Sequence, residues 1–333
     1  MAKDVLYTNG IIAVKEGALL KDKLLKFCES GAAEVFRSLT EGGFGKGAEA
    51  ASVYEYEKLL AADERDIDGF IREYSPTNAE REYLLSPRDF HNAKAAVKAE
   101  YLQLSADEAA PLYAPDGLYS VADIIGAVKS GEVSAFNKEL AQAVLSAREL
   151  CFGAKEGEEE KAEISGAYIG AIFDKALYEH LVRVCARNLF LKKCVRYKAD
   201  MLNILTALRS QTPEYAAAYY VSGGSLSEKR LSAVFTEDGV PAEGALQGTA
   251  YSEFYEKCVS QKKAGLPMTD AERISDGLET FLLAERKYEL KSSQPFLYYV
   301  FRRRAENANL RILFVCLLAG ADERDIKKRL RAY

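Results

Sequence analysis

Histidine is nearly absent from this chain. His91 and His180 are the only two in 333 residues, which excludes a metal site built on several histidines. Paired cysteines are missing too. Cys28, Cys151, Cys185, Cys194, Cys258 and Cys316 form no CxxC or CxxxC spacing, so they read as reduced thiols that fill cores. Long apolar runs are lacking. The longest stretch free of Asp, Glu, Lys and Arg is the 13 residues Tyr215–Ser227, with two glycines and three serines, against the ~18 apolar residues of a membrane span. Asp4 and Glu16 interrupt the first residues, so no secretory signal is expected there. Nor is there an excess of positive charge: 45 basic against 50 acidic side chains give a net charge of −5, too little basicity to coat nucleic acid by charge alone. Two-residue alternation bounded by turn residues does not occur, which leaves an all-α fold as the expectation.

What is present agrees with helices. An apolar fraction of 48% suffices for a sizeable core, and the length suits two or three compact units. Leu177, Leu181, Val184, Leu191 and Val195 project onto one helical face, with Asn188 in the remaining slot. Near the start Tyr7, Ile11, Val14, Ala18 and Leu25 do the same, with Lys21 as the polar exception. Turn chemistry marks breaks at Gly42–Gly47, Ser75–Asn78, Ala114–Gly117, Ser222–Ser225 and Asp238–Pro241, and the prolines are expected mostly where helices stop. The acidic run Glu156–Glu160 reads as a solvated approach to a helix.

An internal repeat stands out. Asp89-Phe-His-Asn92, Asp200-Met-Leu-Asn203 and Glu306-Asn-Ala-Asn309 each place an acid three residues before an asparagine at the head of a helical stretch. The asparagines lie 203 − 92 = 111 and 309 − 203 = 106 residues apart. Each is preceded by another helical segment (Tyr54–Leu60, Phe173–Leu181, Leu278–Leu283), and the first two are followed by a glycine turn at Gly117 and Gly224. An acid and an asparagine at i and i+3 share a helix face, and once buried they must find partners, so their expected role is structural: they bond the backbone of a neighbouring helix end. Three repeats are therefore expected, spanning 1–125, 126–235 and 236–333.

No constellation for chemistry emerges. Gly42-Gly-Phe-Gly-Lys46-Gly lacks the Ser or Thr that follows the lysine of a phosphate-binding loop, and Thr40 stands where its leading glycine belongs. Ser225 lacks the G-x-S-x-G frame. His91 near Asp89 and His180 beside Glu179 have no nucleophile specified for them. No catalytic, cofactor-binding or metal-binding residue is expected. The hexapeptide Ala-Asp-Glu-Arg-Asp-Ile, at 62–67 and again at 321–326, is read as two similar helix starts, and Gly320 as the stop of an apolar helix Leu310–Leu318. Charge is uneven along the chain. Phe296–Tyr333 carries nine basic and four acidic residues, +5, and the remainder sums to −10. Arg302, Arg303, Arg304, Arg311, Lys327 and Lys328 are candidates for contact with an acidic partner surface. On the residues alone, an all-helical scaffold for an acidic or nucleic-acid partner stays open beside other readings, although no base-reading or stacking module accompanies the charge.

The run Tyr298-Tyr-Val-Phe-Arg-Arg-Arg-Ala-Glu306-Asn-Ala-Asn309-Leu-Arg311, with Ala319-Gly320 and Ile326-Lys-Lys-Arg-Leu330, resembles the C-type subunit of bacterial and archaeal V/A-type ATPases, the counterpart of the d-type subunit of eukaryotic V-ATPases. Asp89–Lys94, Tyr197–Arg209 and Ser222-Gly-Gly-Ser-Leu226 are similar to further parts of that family. The chain departs from it in lacking an arginine-rich stretch after Tyr7, and in carrying one glycine at Ala114–Gly117 where the family often has two. The resemblance implies three helical-bundle units arranged as a pseudo-threefold funnel, with no active site and no cofactor. It implies a central-stalk part on the cytoplasmic face of the membrane, peripheral to it, that joins the membrane rotor ring to the shaft of subunits D and F. Ion transport and ATP hydrolysis or synthesis would be coupled through it, and no nucleic acid is expected as partner.

Overall fold

A computed structural model describes residues 4–20, 23–153, 165–236, 241–284, 286 and 288–331. Among them helix is the only regular structure, so the chain is all-α. The acidic run Glu156–Glu160 and residues 238–240 lie outside the described residues.

The first stretch forms α1 (Val5–Lys15), α2 (Lys23–Phe27), α3 (Ala32–Glu41) and α4 (Tyr56–Tyr74). Then come α5 (Asn78–Tyr101), α6 (Ala106–Ala109), α7 (Val121–Ser130), α8 (Lys138–Phe152) and α9 (Gly166–Val184). They are followed by α10 (Leu189–Arg209), α11 (Pro213–Ala217), α12 (Glu228–Ser232) and α13 (Ser252–Lys263). The last are α14 (Thr269–Asp276), α15 (Leu278–Leu283), α16 (Gln294–Leu318) and α17 (Glu323–Arg329). By packing, the chain divides into two units: Met1–Glu80 with Glu272–Tyr333, and Arg81–Ala271.

In the first unit α16 is the central element, touching α1, α2, α3, α4, α15 and α17. Leu310, Leu313, Phe314 and Cys316 of α16 enter a core with Leu24, Phe27, Val35, Leu39, Leu60 and Ile326. Only one side of the run 310–318 is buried, because Arg311 and Val315 face solvent. Ring stacking continues the seam with α4, where Tyr56 lies 4.9 Å from Phe314 and Phe70 lies 5.7 Å from Phe296. In the second unit Phe90, Val97, Ile124, Leu140, Val144, Ile169 and Phe173 form the core between α5, α7, α8 and α9. All six cysteines are free and buried.

Helix ends follow local chemistry. Ser120, Asn137, Asn188, Thr212, Ser227 and Asp322 each accept a hydrogen bond from a backbone N–H in the first turn of the helix they open. At the end of α16, Gly320 adopts φ 72°, its N–H bonds Leu317 O, and the N–H of Ala321 bonds Cys316 O, the pattern of a Schellman stop. The end of α5 makes the same two bonds, from Gln103 to Glu100 O and from Leu104 to Ala99 O, but Gln103 takes the left-handed position with φ 54°.

Four expectations are corrected. The face Leu177–Val195 is not one helix: Asn188, whose side chain accepts from Leu191 N, starts α10 after a turn at 185–187. A cap interrupts the backbone there without breaking the apolar rhythm. The N-terminal face is inverted. Tyr7, Val14 and Leu25 are 55%, 82% and 53% exposed, while Thr8, Asn9 and Ile12 point inward. Polar groups occupy that inner face because carbonyls satisfy them: Thr8 Oγ1 donates to Tyr74 O, and Asn9 Nδ2 to Leu290 O and Ser292 O. Lys21 and the side chain of Ala18 lie outside the described residues. The hexapeptide at 62–67 sits inside α4 and does not start a helix. Upstream residues 56–61 supply helix with no breaker, whereas Gly320 clears the way for Asp322 to cap α17. Prolines also open helices, Pro213 in α11 and Pro295 in α16, and Pro87 lies within α5.

Gln103→Gly should stabilise the protein by about 0.5–1 kcal/mol, since glycine relieves a left-handed backbone at the expense of some unfolded-state entropy. Urea unfolding of the two forms measures it; equal midpoints would mean the turn carries no strain.

Candidate functional site

The three acid–asparagine pairs lie on α5, α10 and α16, and all six side chains are buried. Asn92 takes the N–H of Ala114 on its Oδ1 (2.8 Å) and donates Nδ2 to the carbonyl of the same residue (3.2 Å). Asn203 does this with Val221, at 2.8 and 3.0 Å. Asn309 does it with Arg331, at 2.7 and 3.0 Å. Each asparagine thus satisfies both backbone groups of one residue on a returning loop, a peptide-like pairing that fixes the loop against the helix.

The acids hold the next part of the same loops. Asp89 accepts from the N–H groups of Leu118 and Tyr119, at 3.0 and 3.1 Å. Asp200 accepts from Ser225 N and Leu226 N, at 2.8 and 2.9 Å, and from the hydroxyls of Ser225 (2.7 Å) and Tyr251 (2.5 Å). In both loops these residues directly precede the N-cap serine of the next helix, Ser120 of α7 and Ser227 of α12. The register is identical: glycine stands three residues after the asparagine's partner, 114 + 3 = 117 and 221 + 3 = 224. A Cβ built on Gly117 or Gly224 would lie 2.3 Å from Oδ1 of Asp89 or Asp200, so the loop approaches the carboxylate only through glycine. Glu306, longer by one methylene, takes its donor from elsewhere, the N–H of Leu20 at 3.1 Å.

The two histidines have unlike surroundings. His91 Nε2 is 3.0 Å from Leu112 O. His180 is buried between Glu82 (3.0 Å) and Glu139 (3.3 Å). Glu139 also receives two hydrogen bonds of 2.7 Å from Arg183, which hold its carboxyl down at about 2. Among the described residues no group of three or more His, Cys, Asp and Glu is arranged to hold a metal ion.

A family model for the ATP synthase (C/AC39) subunit matches residues 8–329. The chain belongs to this family of V/A-type ATP synthase subunits. No individual curated protein matches it. Among the described residues of this C/AC39 chain, no helix is long and apolar enough to cross a membrane.

The basic candidates of the C/AC39 chain divide into two groups. Arg303 is only 8% exposed and donates to Asp63 (2.5 Å), Asp66 (3.2 Å) and, through Nη1, to the hydroxyl of Tyr299 (2.8 Å). Arg304 pairs with Glu64 and Asp68, and Arg302 with Glu306. These three arginines of α16 are therefore matched within their own unit, chiefly by α4, and Arg303 presents no surface to a partner. Counting charge along the sequence cannot see α4 lying opposite. Arg311 with Glu57, Lys327 with Glu29 and Glu323, and Lys328 with Asp325 form exposed pairs that water screens, so they stay available for exchange of partners. Sequence reasoning missed the exposed apolar residues of the same unit: Leu6, Tyr7 and Val14 on α1, and Phe281, Tyr288 and Leu290 in the stretch around α15. On α1 a regular apolar rhythm concealed them, because it gives the spacing of a face and not its direction.

Asn203→Ala should destabilise the protein by about 2–3 kcal/mol, since it strands two buried backbone groups at about 1–3 kcal/mol each; chemical denaturation tests it. Gly224→Ala should lower the unfolding midpoint as well. The contribution of Glu139 is intact above the ordinary glutamate range and is lost as pH falls toward about 2. Arg183→Ala should therefore move acid unfolding to higher pH, as followed by circular dichroism.

Proposed function

We propose that this chain is the non-catalytic central-stalk subunit of a rotary V/A-type ATPase, joining the membrane rotor ring to the shaft of subunits D and F. On this reading it lies on the cytoplasmic face of the membrane as a peripheral part, and ion transport and ATP hydrolysis or synthesis are coupled through it. It consists of three units, 1–125, 126–235 and 236–333, arranged as a pseudo-threefold funnel.

The observation that carries the proposal is the anchor repeated three times. Each proposed unit contains one complete asparagine–loop pairing: 92 with 114, 203 with 221, and 309 with 331. A body that transmits torque must resist shear between its helices, and buried side chains bonded to both groups of one backbone residue fix a helix against its returning loop more firmly than apolar packing alone. Exposed aromatic and aliphatic residues on α1 and around α15, and exposed basic residues Arg311, Lys327 and Lys328 at other positions of the same unit, supply the two kinds of chemistry that docking surfaces use.

The purified protein should bind the D–F shaft and detergent-solubilised ring at about micromolar concentration, burying on the order of 1,200–2,000 Å² per interface, and should hydrolyse no ATP by itself. Co-sedimentation and a coupled ATPase assay check both points. Failure to bind either partner, or turnover by the isolated chain, would sink the proposal. Replacing Lys327 and Lys328 together by glutamate should weaken binding, with a shallower salt dependence, if this end meets an acidic surface.

A further inference from the structure

Helix α10 has two unlike faces. Leu191, Cys194, Val195 and Ala199 are buried in the second unit, whereas Leu189, Lys192, Lys193 and Arg196, spaced i, i+3, i+4 and i+7, share the outer face. All four outer residues are exposed, Leu189 to 83%. Arg187, exposed as well, stands in the turn just before them, and Val182 on the last turn of α9 is 41% exposed. From His180 to Ala199 the sequence holds six cations and no Asp or Glu. Arg183 is bound to Glu139, but Arg187, Lys192, Lys193 and Arg196 form no ion pair among the described residues. The ammonium of Lys193 lies over the half-buried Tyr197 ring, 5.7 Å from its centroid.

Such a face is locally unfavourable. Lys192 and Arg196 are like charges one turn apart, and the cations stand close to a helix N-terminus, which is itself positive. The first turn of α10 has no acidic residue to offset them. Leu189, on the same side, gains nothing from the core. The arginines of α16 are matched by acids of α4, which makes the contrast plain. We propose that this face of α10 is a contact for anionic phospholipid. Leu189 enters the boundary between headgroups and acyl chains, and Arg187, Lys192, Lys193 and Arg196 pair with headgroup phosphates around it.

An anionic membrane surface answers both parts of the face at once. Its phosphates form a continuous negative layer that attracts clustered Lys and Arg within about a Debye length, ~8 Å. The acyl boundary beneath accepts an aliphatic side chain that water does not. Tyr197 has the ring and hydroxyl that settle at headgroup level, directly under Lys193. Nucleic acid would use the cations but leave Leu189 in water, and the nearest aromatic on this turn, Phe190, is half-buried. An acidic protein surface would need an apolar pocket set among its carboxylates. The lipid contact adds to the stalk reading without depending on it, since neither the rotor ring nor the shaft takes part.

Flotation of the purified full-length chain tests this with vesicles of phosphatidylcholine alone and of phosphatidylcholine with about 30% phosphatidylglycerol. Wild type should bind only the anionic vesicles, and raising salt from about 0.05 M to about 0.3 M should release it. Lys192→Gln combined with Lys193→Gln should weaken partitioning about 30-fold, roughly fivefold for each cation removed. Leu189→Ser should weaken it as well at low salt, whereas Lys327→Gln with Lys328→Gln in the other unit should change it little. The two α10 lysines form no ion pair, so their double variant should melt no lower than wild type, which separates lost binding from lost fold. Equal binding to both vesicles, binding to neither, or binding untouched by the α10 double variant would overturn the proposal. Undiminished binding by Leu189→Ser would overturn it too, leaving a charge-only surface suited to nucleic acid or an acidic protein. The vesicles contain neither ring nor shaft, so none of these outcomes bears on the stalk reading.

Discussion

A buried asparagine that both gives and takes a hydrogen bond with a single residue of a returning loop is the interaction on which this molecule is organised. Long helices pack readily through apolar stripes, but such packing tolerates sliding by a turn at small expense. Backbone groups buried against a helix do not, because an unmade hydrogen bond in the interior is far more costly than a displaced methyl group. Asn92, Asn203 and Asn309 convert that penalty into register. The neighbouring acids extend the constraint: Asp89 and Asp200 gather the N–H groups just ahead of α7 and α12, and the glycines beside them are what permits the approach.

Much of this was legible in the sequence because it is written in local signals. Turn residues, caps and the Gly320 stop act over a few positions, and the repeated acid–asparagine spacing stays visible at long range since all three copies keep the same offset. What could not be read is direction. The apolar rhythm of α1 has the right period, yet its outward face is the apolar one, since Thr8 and Asn9 find carbonyls on the inner side. The same blindness applies to Arg303, which belongs to a basic run in the sequence and to a buried acid–base cluster in space. Identical hexapeptides make the point most sharply. At 321–326 the segment begins a helix and exposes its charges; at 62–67 it is carried inside α4, and its first aspartate becomes a buried partner of Arg303.

Electrostatics in the two units differ in kind. In the second unit the notable carboxylate, Glu139, is held ionised by a two-pronged arginine at the edge of the core. In the first, Asp63 lies deep enough that burial competes with its arginine, and the balance is near neutral pH. The contrast follows from exposure of the partner: Arg183 keeps contact with water, whereas Arg303 is enclosed with the acid it serves.

The way the first unit draws on both Met1–Glu80 and Glu272–Tyr333 has a consequence for synthesis. Its core joins Leu24, Val35 and Leu60 to Leu310, Phe314 and Ile326, so it cannot close until the last helices have left the ribosome. Arg81–Ala271, by contrast, is contiguous and is complete while the ribosome is still adding residues. The nascent chain therefore carries an early segment, α1 to α4, whose apolar side chains wait for more than 200 residues of elongation before they are covered, and that interval is when a chaperone has most to protect.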